Sequence, residues 1–94
     1  MTKEEALKKA EAWGKKQEWP YDVVRYAGEK NGWHFVHLDR SVRPRYIGFG
    51  MALKISPKGR IVKSKSNMEI CLIARASREI LNGRYDSLNQ LDVK

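Results

Sequence analysis

Apolar residues alternate with small or polar ones most regularly between Arg45 and Ile55. Ile47, Phe49, Met51, Leu53 and Ile55 take every second position, with Tyr46, Gly48, Gly50, Ala52 and Lys54 between them. A period of two is the mark of a strand, so residues 45–55 predict a long one. Its small-residue face would let a helix or a ligand approach closely. A second alternation covers 33–39. Trp33, Phe35 and His37 share one side, and His34, Val36 and Leu38 the other. Both sides are partly apolar, so the pattern leaves the core-facing side open. Asn31-Gly32 stands just before it. Both residues tolerate the positive φ angles of a type I′ turn, which pairs 33–39 with a first strand over 22–29. Ser41 to Pro44 reads as a loop. Pro57-Lys58-Gly59 marks a further turn, and 60–65, with Ile61 and Val62, predicts a short fourth strand.

The helical signals lie at the two ends. Ala6, Ala10 and Trp13, with Leu7 beside them, fall on one face of residues 3–16, and Lys and Glu take the other. Thr2 and Glu5 have capping-box spacing at its start. Gly14 and then Trp19-Pro20 end it. In residues 67–82, Ile70, Ile73, Ala74, Ser77, Ile80 and Leu81 recur at helical spacing. Ser66 and Glu69 repeat the capping spacing, and Gly83 supplies a left-handed stop. The dense run Ile70–Ala74 also fits a buried strand, and spacing alone leaves both open. Residues 84–94 read as a loose tail. The order is helix, three or four antiparallel strands, helix. With both helices on one sheet face, this is an α+β two-layer domain with the other face partly open.

Composition narrows the class. The chain has 94 residues, of which 41% are apolar, enough for one small core in a single domain, 1–94. Three Trp, four Tyr and two Phe argue against disorder. Cys71 is the one cysteine, which excludes a disulfide-stapled fold. No apolar run approaches the roughly 20 residues of a membrane span, and the first residues lack a signal-peptide core. These features lead us to expect a cytoplasmic protein without a membrane partner. No cofactor motif is present.

Charge is the most uneven property. Residues 40–65 hold Arg40, Arg43, Arg45, Lys54, Lys58, Arg60, Lys63 and Lys65 and no acid, and the rest of the chain balances, leaving a net charge of +8. A field this localised favours an anionic partner. Arg45, Lys54, Arg60, Lys63 and Lys65 would form a cationic ledge along the third and fourth strands, beside Tyr46 and Phe49. The competing reading is a solvated strand edge. Trp13, Trp19 and Trp33 read as core or core rim. Trp19, beside Pro20 and Tyr21, has the alternative of exposure as a protein-contact anchor.

The remaining chemistry is sparse. His34 and His37 point to opposite sides of a strand and cannot share a metal, and no cysteine pair completes a zinc site. Acid–base cleavage of RNA by one of them would suit a basic surface, but the sequence supplies no geometry for it. Cys71 sits in an apolar run and reads as a small buried hydrophobe. Gly48-Phe49-Gly50 lies inside a strand pattern, where a phosphate loop does not belong.

Asn31-Gly32-Trp33-His34-Phe35-Val36, the stretch Gly48–Ile55 and Gly59-Arg60-Ile61-Val62 together resemble the core of small cystatin-like or NTF2-like immunity proteins of bacterial toxin systems. That resemblance covers about half the chain. It implies a non-enzymatic inhibitor that caps a toxin, and it carries no binding motif. The element order also resembles double-stranded-RNA-binding domains, with Lys63-Ser64-Lys65-Ser66 ahead of the last helix. The lysine cluster at that helix start is replaced here by Asn67-Met68-Glu69.

The expectation is a small non-enzymatic binding module, an immunity-type inhibitor. It would dock on an acidic protein through Arg40, Arg43, Arg45, Lys54, Arg60, Lys63 and Lys65, with Tyr46 or Trp33 as the apolar anchor. Nucleic-acid binding through the same groups is the alternative, and a basic ribonuclease toxin using His34 or His37 comes third. Monomer and homodimer both fit.

Overall fold

The computed structural model describes residues 1–42 and 50–91. The chain runs α1 (Lys3–Lys15), β1 (Val23–Lys30), β2 (Trp33–Asp39), β3 (Met51–Ile55), β4 (Ile61–Lys63), α2 (Asn67–Glu79), a 3₁₀ turn (Ile80–Asn82) and α3 (Asp86–Gln90). The strands form one antiparallel meander in the order β1-β2-β3-β4. The α+β class and the order of helix, four-stranded sheet and C-terminal helix are those expected.

Local chemistry explains most boundaries. The Glu5 amide donates to Thr2 Oγ1 at 3.2 Å, and the Thr2 amide donates to Glu5 Oε1 at 3.3 Å, so the capping box closes the start of α1. The Glu69 amide donates to Ser66 Oγ at 3.1 Å and does the same for α2. Asn31 and Gly32 have φ of 54° and 81°, the pair of positive values that a type I′ turn needs. Residues 70–74 are helical, settling the helix-or-strand ambiguity. The last turn tightens into 3₁₀ geometry before Gly83, whose φ of 71° stops it.

Two expectations give way. The helices do not share a sheet face. Ala6 and Ala10 of α1 pack on Val36, Leu38, Leu53 and Ile55. Ile70, Ile73 and Ala76 of α2 pack with Phe35, Ala52 and Ala27 on the opposite side. The molecule therefore has three layers, helix, sheet and helices, rather than two. The physical reason lies in β2, where six of seven residues are buried, so each pleat surface needs its own cover. The second correction concerns the tail. Residues from Arg84 onward include α3, and Leu88 and Leu91 are buried in the α2-side core. Lys30 Nζ donates to the carbonyls of Asn89 at 3.0 Å and Leu91 at 2.7 Å, placing a cation at the negative end of α3.

The strand limits differ slightly. The third strand runs over Met51–Ile55, and 45–49 lie outside the described residues. The fourth is shorter than 60–65. β1 carries a bulge between Tyr26 and Gly28, where the register with β2 shifts. Gly28 has φ +124° and faces Leu88 of α3, so the bulge lets the short helix lie close to the sheet.

Candidate functional site

The most distinctive surface lies where α1 ends and β1 begins. After Lys15 the chain folds back on the helix end. Gly14 O accepts from the Tyr21 amide at 3.2 Å, and Trp13 O accepts from Gln17 Nε2 at 2.9 Å. A Cβ at Gly14 would stand 3.4 Å from Tyr21 Cβ, an ordinary van der Waals contact, so the reversal packs directly against the helix end. Trp13 and Tyr21 then stack, with ring centroids 6.3 Å apart.

Arg40, just past β2, reaches across to this reversal. Its guanidinium lies 4.0 Å from the Tyr21 ring centroid and 5.9 Å from that of Trp19. Arg40 Nη2 donates to Trp19 O at 2.6 Å and Nε donates to the same oxygen at 3.2 Å. Asp22 anchors the other side. Its carboxylate accepts from the Ser41 amide at 2.8 Å and from the Ser41 hydroxyl. The Ser41 hydroxyl, then its amide, and more weakly the Arg40 charge hold the Asp22 carboxyl below its ordinary value. The Trp19 backbone is thus fixed from behind while its indole is 62% exposed. Gln17, Glu18, Trp19, Tyr21 and Arg40 enclose a shallow depression of about 350 Å³.

The other expected site residues fall into separate groups. Arg43, Arg45 and Tyr46 lie outside the described residues. Lys54 turns toward α2, where its Nζ is 3.2 Å from Glu69 Oε1 and 3.3 Å from Oε2. Its charge is matched inside the fold. Arg60, Lys63 and Lys65 are exposed on and around β4. Arg60 follows the β3–β4 turn, at the sheet end where Ile55 pairs with His34. Arg40 leaves the opposite end of β2. At about 3.3 Å per strand residue Arg40 and Arg60 lie ~20 Å apart along the sheet, while β4 runs back from Arg60 past Lys63, which pairs with Leu53. Trp33 is half-buried against the α2-side core rather than presented to solvent. Trp19 offers the exposed aromatic instead, and the sequence signal for it was the Trp-Pro-Tyr run at a helix end.

The two histidines face opposite sheet sides, as their spacing required. His34 is buried beneath α1. Its Nδ1 is 2.7 Å from the Tyr26 hydroxyl and its Nε2 is 3.2 Å from Met1 O. Burial of the Tyr26 ring, with the charges of Glu29 and Glu4 adding to it, pushes that phenol up to about 12. His37 is buried on the α2 side. Among the described residues no three of His, Cys, Asp and Glu come together as a metal site would require. Cys71 is half-buried rather than enclosed. No helix among the described residues is long and apolar enough to cross a membrane.

Comparison of the chain with protein-family models, with curated proteins and with solved structures finds no match.

Proposed function

We propose that this chain is a small non-catalytic binding module that docks on an acidic protein through the sheet end where Trp19 and Arg40 meet. The observation that carries the reading is the clamp on Trp19. A large aromatic held at 62% exposure by two guanidinium hydrogen bonds to its own carbonyl gains nothing for the core. Trp, Tyr and Arg are also the residues most enriched at binding hot spots, and this surface combines all three. Backbone fixation lowers the ordering cost of binding, since the anchor is already positioned. The net charge of +8 supports an acidic partner through faster encounter.

Arg40 acts here as a positioning group more than as a free charge. Arg43 and Arg45 follow it within five residues and are the cations best placed in sequence to add charge complementarity. An immunity-type inhibitor is the particular form of module that the resemblance implies, and we include it in the proposal.

The test starts with affinity purification against the products of neighbouring genes, followed by calorimetry on the acidic protein recovered. Trp19→Ala should leave folding intact and weaken binding by about 2 kcal/mol or more, roughly thirtyfold. Arg40→Ala should weaken it less. Unchanged affinity in Trp19→Ala would remove this surface as the docking site. An inhibitor should also abolish the activity of the protein it binds, and a complex that stays fully active would remove the immunity reading.

A further inference from the structure

We infer that the C-terminal half of α2 carries a second site, an arginine notch that takes the phosphate backbone of a single-stranded nucleic acid. Arg75, Arg78 and Asn82 fall at i, i+3 and i+7, one stripe on the solvent side of the helix. Gly83 then turns the chain back in left-handed geometry, and the Arg84 amide donates to Glu79 O at 2.9 Å. That reversal brings Arg84 to the same depression, which measures about 340 Å³ and is lined by Arg75, Arg78, Glu79, Asn82 and Arg84.

The charges in the notch do not cancel. Glu79 is its one acid, and its carboxylate is already engaged. Glu79 Oε1 accepts from the Ser87 amide at 2.8 Å and Oε2 accepts from the Ser87 hydroxyl at 3.0 Å. These bonds, with weaker help from Arg75 and Arg84, keep the carboxyl ionised by lowering its pKa. Among the described residues none of the three guanidinium groups forms an ion pair. The negative end of α2 stabilises a cation in the last turn, which accounts for Arg78. It does not account for Arg75 a turn earlier, or for Arg84 beyond the stop.

Three guanidinium forks around one concavity match phosphate oxygens, each fork donating two parallel hydrogen bonds. Asn82 adds a neutral donor. Tyr85, next along the chain and 51% exposed, offers a ring on which a base can stack. Single-stranded nucleic acid supplies both chemistries at once, in repeat. The site is remote in sequence from the Trp19 surface and stands or falls independently of it.

The probe is a labelled oligouridylate, read by fluorescence anisotropy over a salt series with the full chain. Binding should weaken with salt. R75Q/R78Q should lower affinity about tenfold and flatten the log–log salt slope by roughly 1.4, the loss of two single-strand phosphate contacts. K8Q/K16Q removes the same charge from exposed positions at α1 and should change affinity less than about twofold. Tyr85→Phe should bind as well as the parent, and Tyr85→Ala should bind less tightly. Equal loss in the two double variants would show diffuse attraction and overturn the site. So would failure to bind the oligonucleotide at low salt, including the case where inorganic phosphate alone shifts the arginine side-chain NMR signals. Circular dichroism of each variant confirms folding before binding is read.

Discussion

Replacing Gly28 with alanine tests how α3 is held to the sheet. Gly28 has φ +124°, a region that alanine enters only under strain. The added Cβ would stand 2.9 Å from Leu88 Cδ2 and 3.3 Å from Leu88 Cδ1. Two effects combine. The backbone strain is on the order of 1–3 kcal/mol. Overpacking adds about 1–3 kcal/mol, toward the lower end because the atoms struck are the tip of a leucine. That tip is buried, so it cannot simply swing into solvent. The expected loss is about 2–4 kcal/mol, which for a domain of this size lowers Tm by roughly 10–25 °C. Urea melts followed by tryptophan fluorescence would measure it, with an unchanged m-value confirming that the denatured state is not the cause. A double-mutant cycle isolates the contact. Leu88→Ala alone should cost about 2–5 kcal/mol through the cavity it leaves. In the double variant the clash is gone and the new methyl fills part of that cavity, while the backbone strain remains. The pair should therefore be more stable than the summed single effects by about 1–2 kcal/mol. Additivity within roughly 0.5 kcal/mol, or a Gly28→Ala chain as stable as the parent, would refute the close packing of α3 on the bulge.

Two further outcomes follow from other contacts. Tyr26 holds its proton more tightly folded than unfolded, since its pKa rises from 10.0 to about 12. Its stabilising contribution is therefore complete below pH 10 and lost as pH climbs from there toward 12. Alkaline titration of stability should show a decline of about 1–2 kcal/mol in that window, reduced by solvent screening at the half-buried ring. Tyr26→Phe should abolish it. Lys30→Met should cost about 1–2 kcal/mol by removing two hydrogen bonds to the end of α3. It should also speed amide exchange across residues 84–91 while leaving β2 protected.

The strands and helices of the sheet layer were legible because each rests on local chemistry. Asn31-Gly32 set its turn by φ alone, and Thr2 with Glu5 closed a cap within one turn of chain. The layering was not legible in the same way. The alternation in 33–39 placed apolar side chains on both pleat surfaces, and that fact was the visible trace of a sheet covered twice. What it lacked was any sign of which helix goes where, because that depends on packing between segments far apart in sequence. Residues 84–91 hid for a different reason. A five-residue helix has too little periodicity to be read, and its stability comes from Leu88, Leu91 and a lysine roughly 60 residues away. The candidate surfaces divided likewise. Trp19 was marked by its neighbours Pro20 and Tyr21, but its clamp by Arg40 is a tertiary contact. The charge run over 40–65 named real exposed cations. Strand geometry then set Arg40 and Arg60 at opposite ends of the sheet and turned Lys54 inward to Glu69.

The kink in β1 also bears on how copies of this protein meet. β1 forms one outer border of the sheet, and the shift between Tyr26 and Gly28 breaks the even rhythm of its hydrogen-bonding groups. The other border is β4, only three residues long and carrying Lys63. A sister chain seeking to extend the sheet would find a ragged rim on one side and a stub with a positive charge on the other. Both discourage the strand-by-strand growth that leads to fibrils. The same irregularity that seats α3 thus also roughens the rim that a sister strand would need.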